Sequence, residues 1–181
     1  MATAFPFLAL LVGYLIGSLS FAVIVSRIMR LQDPRTFGSR SAGATNVLRS
    51  GSKMAALATM LLDVLKGWVP VVFAAWLGPR AGAAPGALEW APALAGLGAF
   101  VGHLWPLYFR FEGGKGVATA AGALLGLNPL LGLGPLALWI VVVVFSRYSS
   151  LASLAATTLA PFYQALIWGV GPQTIVILVM S

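Results

Sequence analysis

Gly38-Ser39-Arg40-Ser41-Ala42-Gly43-Ala44-Thr45-Asn46-Val47-Leu48-Arg49 is a polar island between two long apolar runs. Its reading decides what the rest of the chain is for. Glycines let a backbone turn tightly and approach a ligand closely. Successive backbone N–H groups in such a turn make a concave anion site. Arg49 adds a planar fork suited to phosphate or carboxylate. Taken alone, the stretch fits an ordinary solvated loop between membrane spans equally well. A second island, Gly102-His103-Leu104-Trp105-Pro106 followed by Phe111-Glu112-Gly113-Gly114-Lys115-Gly116-Val117-Ala118-Thr119, repeats the combination of glycines, a cation and hydroxyls. A third, Ser146-Arg147-Tyr148-Ser149-Ser150-Leu151-Ala152-Ser153, follows another apolar run. Islands recurring at the ends of apolar runs predict one shared anion pocket.

The remainder of the chain is mostly apolar. Of 181 residues, 60% are hydrophobic and only 8% charged, against about 25% charged in a soluble domain. Mean hydropathy is +0.95. These values indicate a polytopic all-α membrane protein, read as one domain over residues 1–181. The absence of cysteine excludes disulfides and thiolate metal sites. One histidine and four acids leave little for a metal cluster, so neither a metal nor a cofactor is expected. The net charge of +7 does not indicate nucleic acid. The basic residues sit beside apolar spans, where they set orientation and meet anionic lipid headgroups.

Spans are expected at Phe5 to about Ile28, Lys53 to Trp76, Glu89 to Phe109, Gly113 to about Asn128, Pro129 to Phe145 and Leu154 to Trp168. A seventh apolar run covers Thr174 to Met180. Those seven residues are too few for a bilayer core of about 30 Å at about 1.5 Å per residue. The last helix is therefore expected to be incomplete in this chain, or its tail to lie on the surface. Gly13-x-x-x-Gly17 allows close helix packing. Ser18 and Ser20 face the protein interior or bond back to their own helix. Asp63 and Lys66 lie three apart within a span, on one helical face, where they can neutralise each other. Intramembrane charges are expensive, which points to a role in or behind the site, with a bracing ion pair as the alternative. Placing the N-terminus outside puts Arg27, Arg30, Arg35, Arg40, Arg49, Lys53, Arg110, Lys115 and Arg147 inside and only Arg80 outside. That asymmetry follows the positive-inside rule and puts all three islands on the cytoplasmic face.

The motifs Gly43-Ala44-Thr45-Asn46-Val47-Leu48-Arg49, Asp63-Val64-Leu65-Lys66-Gly67, Gly102-His103-Leu104-Trp105-Pro106, Gly113-Gly114-Lys115-Gly116-Val117-Ala118-Thr119 and Tyr148-x-Ser150-Leu151-Ala152-Ser153 occur here in fixed order. Together they resemble the PlsY family of bacterial acyl-phosphate:glycerol-3-phosphate acyltransferases, from Gly13 to the end of the chain. The resemblance implies a seven-helix enzyme of the bacterial inner membrane. It would move an acyl group from acyl phosphate to the sn-1 hydroxyl of glycerol 3-phosphate, giving lysophosphatidic acid, the first acylation towards phospholipid. On that pattern Ser39, Arg49 and Lys115 are the catalytic residues. Gly38, Asn46, His103, Gly113, Gly114 and Ser153 contribute to substrate binding, with Asp63 and Lys66 supporting from behind. The alternative reading is a membrane transporter or binding protein for a phosphorylated metabolite.

The chain departs from the family pattern at three places. Gly-Ser-Gly-Asn is here Gly38-Ser39-Arg40-Ser41, so Arg40 is expected to crowd or recharge the phosphate loop. Glu112 stands where the family often has lysine, and is expected to weaken the positive field. The family's Arg-His-x-x-Asn-Ile motif, whose His and Asn bind substrate, does not occur before Ser181.

Overall fold

In a computed structural model that describes residues 3–181, every regular element is helical. The elements are α1 (Phe5–Gly17), α2 (Phe21–Ile28), α3 (Ala44–Leu48), α4 (Lys53–Arg80), α5 (Pro85–Leu104), α6 (Val117–Leu127), α7 (Pro129–Ser146), α8 (Ser149–Trp168) and α9 (Pro172–Met180). Short 3-10 turns occupy Pro34–Thr36 and Leu107–Phe109. With α1 and α2 counted as one interrupted span and α3 as a short surface helix, seven apolar segments remain. Phe5–Ile28, Lys53–Arg80, Pro129–Ser146 and Ser149–Trp168 are each long and apolar enough to cross a membrane.

The first span is not continuous. It breaks at Ser18–Ser20, with Ser20 at ψ 87°. Ser18 Oγ donates back to the Tyr14 carbonyl at 2.8 Å, which loosens the helix at that point. The break strips the Leu19 carbonyl of its helical partner, a costly state in a bilayer core. Lys66 Nζ, from the middle of α4, donates to that carbonyl at 2.7 Å.

α1 and α5 make the most extensive crossing in the bundle. The Gly13/Gly17 stripe finds its counterpart in Gly98 and Gly102. Each of the four places its Cα against a carbonyl of the facing helix, where a Cβ would collide. α4 and α6 cross in the same manner, Gly67 on the Thr119 carbonyl and Gly122 on the Val64 carbonyl. Small residues therefore bring backbones together where lipid tails supply no hydrophobic drive between helices. Val71, Ala93, Ala123 and Val176 form the centre where α4, α5, α6 and α9 meet. The bundle's outside is apolar too: on α7 only Leu131, Gly132 and Pro135 are buried, and Phe145 is 86% exposed.

Boundaries shift in several places, α5 beginning at Pro85 rather than Glu89 and α6 at Val117 rather than Gly113. α4 runs on through Pro79 to Arg80, whose guanidinium stacks 4.5 Å over Trp76 and donates to the Trp76 carbonyl at 2.7 Å. A basic group on the last carbonyls suits a helix C-terminus. α5 stops at Leu104, so Trp105 to Phe109 belong to the loop. α8 starts at Ser149 rather than Leu154, so the third island forms the first turns of a helix. α6 has eleven residues and α9 nine, about 16 and 14 Å of helix.

Candidate active site

The first island is built around Asn46. The Asp33 side chain accepts the Arg35 N–H at 3.0 Å and starts the turn at Pro34–Thr36. Gly38 then adopts φ +56°, and a side chain there would run into the Asn46 amide. Asn46 is 2% exposed. Its Nδ2 donates to the carbonyls of Pro34 (2.6 Å) and Phe37 (3.2 Å), and its Oδ1 accepts the Ser39 N–H at 3.1 Å. Both amide donors and one acceptor position are thus committed to the loop's own backbone. In this structure Asn46 shapes the loop that places Ser39 at the site. Arg49 caps the end of α3 and passes beside Gly38.

The second island hangs from His103. The Gly114 N–H donates to the His103 carbonyl at 3.1 Å, and the Ala42 N–H donates to the Gly113 carbonyl at 3.2 Å, joining the two islands. Gly113 packs on the His103 and Leu104 carbonyls, and Gly114 on His103 Nε2 and the Ala42 carbonyl, leaving no room for a Cβ. The His103 ring is 6% exposed, with Nδ1 3.1 Å from Thr119 Oγ1 and 3.6 Å from Asp63 Oδ1. Asp63 Oδ1 lies 2.9 Å from Lys66 Nζ, both side chains being 2% exposed. The ammonium's directed bond goes to Leu19, and Asp63 Oδ1 accepts no well-aligned hydrogen bond among the described residues. The contact is therefore ionic rather than a directed bond.

One cavity of about 270 Å³ collects these groups. Ser39, Arg49, Asn46, His103, Lys115 and Ser153 all line it, with Asp63 at its wall. Gly38, Gly113 and Gly114 lie behind the lining and shape the loops, and Lys66 is set back on Leu19. Away from the polar mouth, the cavity runs between α6, α7, α8 and α9 along Leu124, Leu136, Ala156, Ala160 and Ile177. Ser153 Oγ donates to the Ser149 carbonyl at 2.7 Å and accepts from Trp139 Nε1 at 3.1 Å.

Charge follows the same division. Among the described residues, Asp33 and Glu112 pair with Arg35, and Asp63 with Lys66. Among the described residues neither Arg49 nor Lys115 has a carboxylate within ion-pair distance. The mouth is cationic and the inner arm apolar, which suits a ligand with a phosphate head and a hydrocarbon tail.

Two departures take on different roles from those expected. Arg40 does not crowd the pocket. Ser39 and Ser41 line the cavity while Arg40 is exposed and outside the lining, at φ +55°. Glu112 is spent on Arg35 at 3.2 Å and also lies outside the lining. Sequence reasoning missed Trp139, which sits in a uniformly apolar helix, and the whole inner arm. Residues such as Ala156 and Ala160 show only helical spacing of small side chains, a pattern shared by any packed helix.

The profile of the family "Glycerol-3-phosphate acyltransferase" matches residues 7–181. The chain belongs to the glycerol-3-phosphate acyltransferase family. A glycerol-3-phosphate acyltransferase of Albidiferax ferrireducens is 59% identical over 163 residues, covering 90% of this chain and 71% of that relative. One from Cupriavidus necator is 54% identical over 171 residues, covering 94% and 83%. The crystal structure of PlsY, an integral membrane glycerol 3-phosphate acyltransferase, in its glycerol 3-phosphate form superposes with a TM-score of 0.85 at 30% identity, covering 97% of this chain and 84% of that one. Its lysophosphatidic acid form gives 0.83 at 29% identity. The protein is thus an integral membrane acyltransferase of phospholipid synthesis with the PlsY fold.

Proposed function

We propose that this acyltransferase takes its acyl group from acyl phosphate and delivers it to the sn-1 hydroxyl of glycerol 3-phosphate, releasing lysophosphatidic acid and phosphate. The observation that carries the reading is the single cavity with Ser39, Arg49 and Lys115 at a cationic mouth and an apolar arm behind. That shape accepts one small anion beside one amphiphile. The forms in which the structural relative was crystallised, with glycerol 3-phosphate and with lysophosphatidic acid, match such a pair.

Acyl phosphate is already activated, so the protein's task is to position two anions and neutralise charge as it develops. Arg49 and Lys115 hold the phosphates and polarise the acyl carbonyl. The sn-1 hydroxyl attacks that carbonyl carbon directly. The C–O bond to phosphate breaks, and a substrate phosphate oxygen takes the hydroxyl proton. There is no cysteine to acylate. His103 is held against Asp63 and against Thr119, which is fully buried and outside the cavity lining, rather than against a serine at the mouth, so among the described residues no hydroxyl facing the cavity has an adjacent base. Orientation follows the basic residues: an inner-membrane protein with the N-terminus outside and the mouth facing the cytoplasm.

The test is a transfer assay on solubilised protein with labelled acyl phosphate and glycerol 3-phosphate. Lysophosphatidic acid and phosphate are expected in equal amounts, in detergent, where transport has no meaning. Arg49→Ala or Lys115→Ala should abolish product while leaving the protein in the membrane. A labelled acyl-protein adduct would overturn direct transfer, and full activity in both variants would overturn the site.

A further inference from the structure

We propose that Arg35 is a positioning residue for this reaction: it straps the loop carrying Ser39 and Arg49 to the loop carrying Lys115 and so fixes the spacing of the two cationic centres. The proposal rests on the transfer reading above, because spacing matters only where two bound groups must meet.

Arg35 sits in the turn Pro34–Thr36. Its Nε lies 3.1 Å and its Nη2 2.7 Å from the Asp33 carboxylate, while its backbone N–H holds Asp33 Oδ1 at 3.0 Å. This fork pins the plane of the guanidinium. The remaining nitrogen, Nη1, then crosses to the other loop, donating to Glu112 Oε2 at 3.2 Å and to the Phe109 carbonyl at 3.4 Å. Because Asp33 already orders the group, little further side-chain entropy is lost in making the crossing.

Both ends of the strap are tied to the site. Glu112 is three residues before Lys115. On the other side, the carbonyl of Pro34, next to Arg35, accepts from Asn46 Nδ2 at 2.6 Å, and Asn46 Oδ1 holds the Ser39 N–H. The only other polar tie between these two loops among the described residues is the bond from the Ala42 N–H to the Gly113 carbonyl. Gly114 packs on the Ala42 carbonyl and Phe109 on the cluster that holds Ala42; to that packing and the one backbone bond the arginine adds a second directed point that fixes the spacing. The acid at position 112 thus has a use that its effect on the field does not reveal. It supplies an acceptor to Arg35 beside the Phe109 carbonyl, where a lysine at 112 would offer none and would repel the guanidinium.

The experiment uses the full chain in detergent with Arg35→Ala, Glu112→Ala, the double variant and Glu112→Gln. Each loop still binds its own group when the strap is cut, so the loss falls on turnover. Each alanine variant is expected to lower kcat about tenfold, with KM for glycerol 3-phosphate within about twofold, since misplacement by an ångström costs up to about a hundredfold. The double variant should be no slower than Arg35→Ala, because removing the arginine already removes the crossing to both Glu112 and Phe109. Glu112→Gln keeps an acceptor and should recover most of the rate. Hydrogen exchange without substrate should rise in residues 36–43 and 111–116 of the alanine variants and stay unchanged in α4. Unaltered kcat in Arg35→Ala, additive losses, an effect on KM alone, or exchange rising across the whole bundle would each overturn the proposal. If the parent chain transfers no acyl group, the functional reading fails; the exchange contrast still judges the strap, and unchanged loop exchange sinks it.

Discussion

Lys66→Met should be among the most destabilising single changes available in this chain, and the structure sets the size. Lys66 Nζ is 2.7 Å from the Leu19 carbonyl and 2.9 Å from Asp63 Oδ1, with both side chains 2% exposed. At 2.9 Å and an effective dielectric of about 20, the pair attracts by about 6 kcal/mol before desolvation is counted. Removing one partner of a buried pair costs about 3–5 kcal/mol, because the remaining charge is stranded. Asp63→Asn with Lys66→Met removes the stranded charge but still leaves the Leu19 carbonyl unpaired at the helix break, worth about 1–3 kcal/mol. The expected order is therefore parent, then double variant, then Lys66→Met, with the double variant recovering about half of the loss. Unfolding in mixed micelles, followed by the fluorescence of the six tryptophans, measures this order. A Lys66→Met variant within about 1 kcal/mol of the parent, or a double variant no better than the single one, would refute the argument that the lysine pays for the break.

Gly17→Leu drives a side chain into the Ala99 backbone, and the α1–α5 crossing should separate, seen as loss of the monodisperse folded peak on size exclusion; an unchanged profile would refute the crossing. Arg40→Gly relieves a left-handed backbone at φ +55°. Strain of about 1–2 kcal/mol less about 0.4–1 kcal/mol of added chain entropy predicts a net gain of roughly 0.5–1 kcal/mol, with transfer rate retained. The hydrogen bond and charge of Arg35 hold the Asp33 carboxyl below the usual carboxylate range. A lowered folded value contributes stability above the unfolded value near pH 4 and loses it as pH falls through the folded value. Melting temperatures of the parent and Asp33→Asn should therefore differ by a constant amount from about pH 5 to 8 and converge below about pH 4. Ala160→Phe fills the inner arm of the cavity. Displacing about three methylenes costs about 2.4 kcal/mol, so the kcat/KM ratio of palmitoyl to octanoyl phosphate should fall roughly fiftyfold.

Legibility differed between elements for physical reasons. Spans, islands and their shared pocket could be read because apolar length and polar interruption are local properties. Gly38, Gly113, Gly114 and Lys115 stood out because glycines beside a cation are rare in an apolar chain. The break at Ser18–Ser20 could not be read. It contains neither glycine nor proline, and the residue that satisfies it, Lys66, lies 47 positions from Leu19. The apolar arm was hidden because a helix lining a cavity and a helix packed on its neighbour bury the same small side chains. The contact of Glu112 with Arg35 could not be read, because the two lie 77 positions apart. The Glu112 carboxylate faces Arg35, and the mouth keeps Arg49 and Lys115 unneutralised.

The buried polar groups connect these two kinds of feature into one chain of contacts. Lys66 closes the broken span and faces Asp63; Asp63 faces His103; the carbonyl of His103 holds the Gly114 N–H, one residue from Lys115. Burying that much polarity in a bundle is tolerable only if nearly every group finds a partner. The pivot is His103, whose ring meets the core while its backbone sets the loop. A change at Asp63 or Lys66 should therefore reach Lys115 through His103, and loss of activity there is not evidence of contact with substrate. His103→Ala separates the two effects: it removes the ring but keeps the carbonyl bond to Gly114. If the Lys115 loop stays protected from hydrogen exchange in that variant while Lys66→Met exposes it, the route runs through backbone placement rather than through the imidazole. The reverse pattern would assign the transmission to the ring, its hydrogen bond with Thr119 and its contact with Asp63.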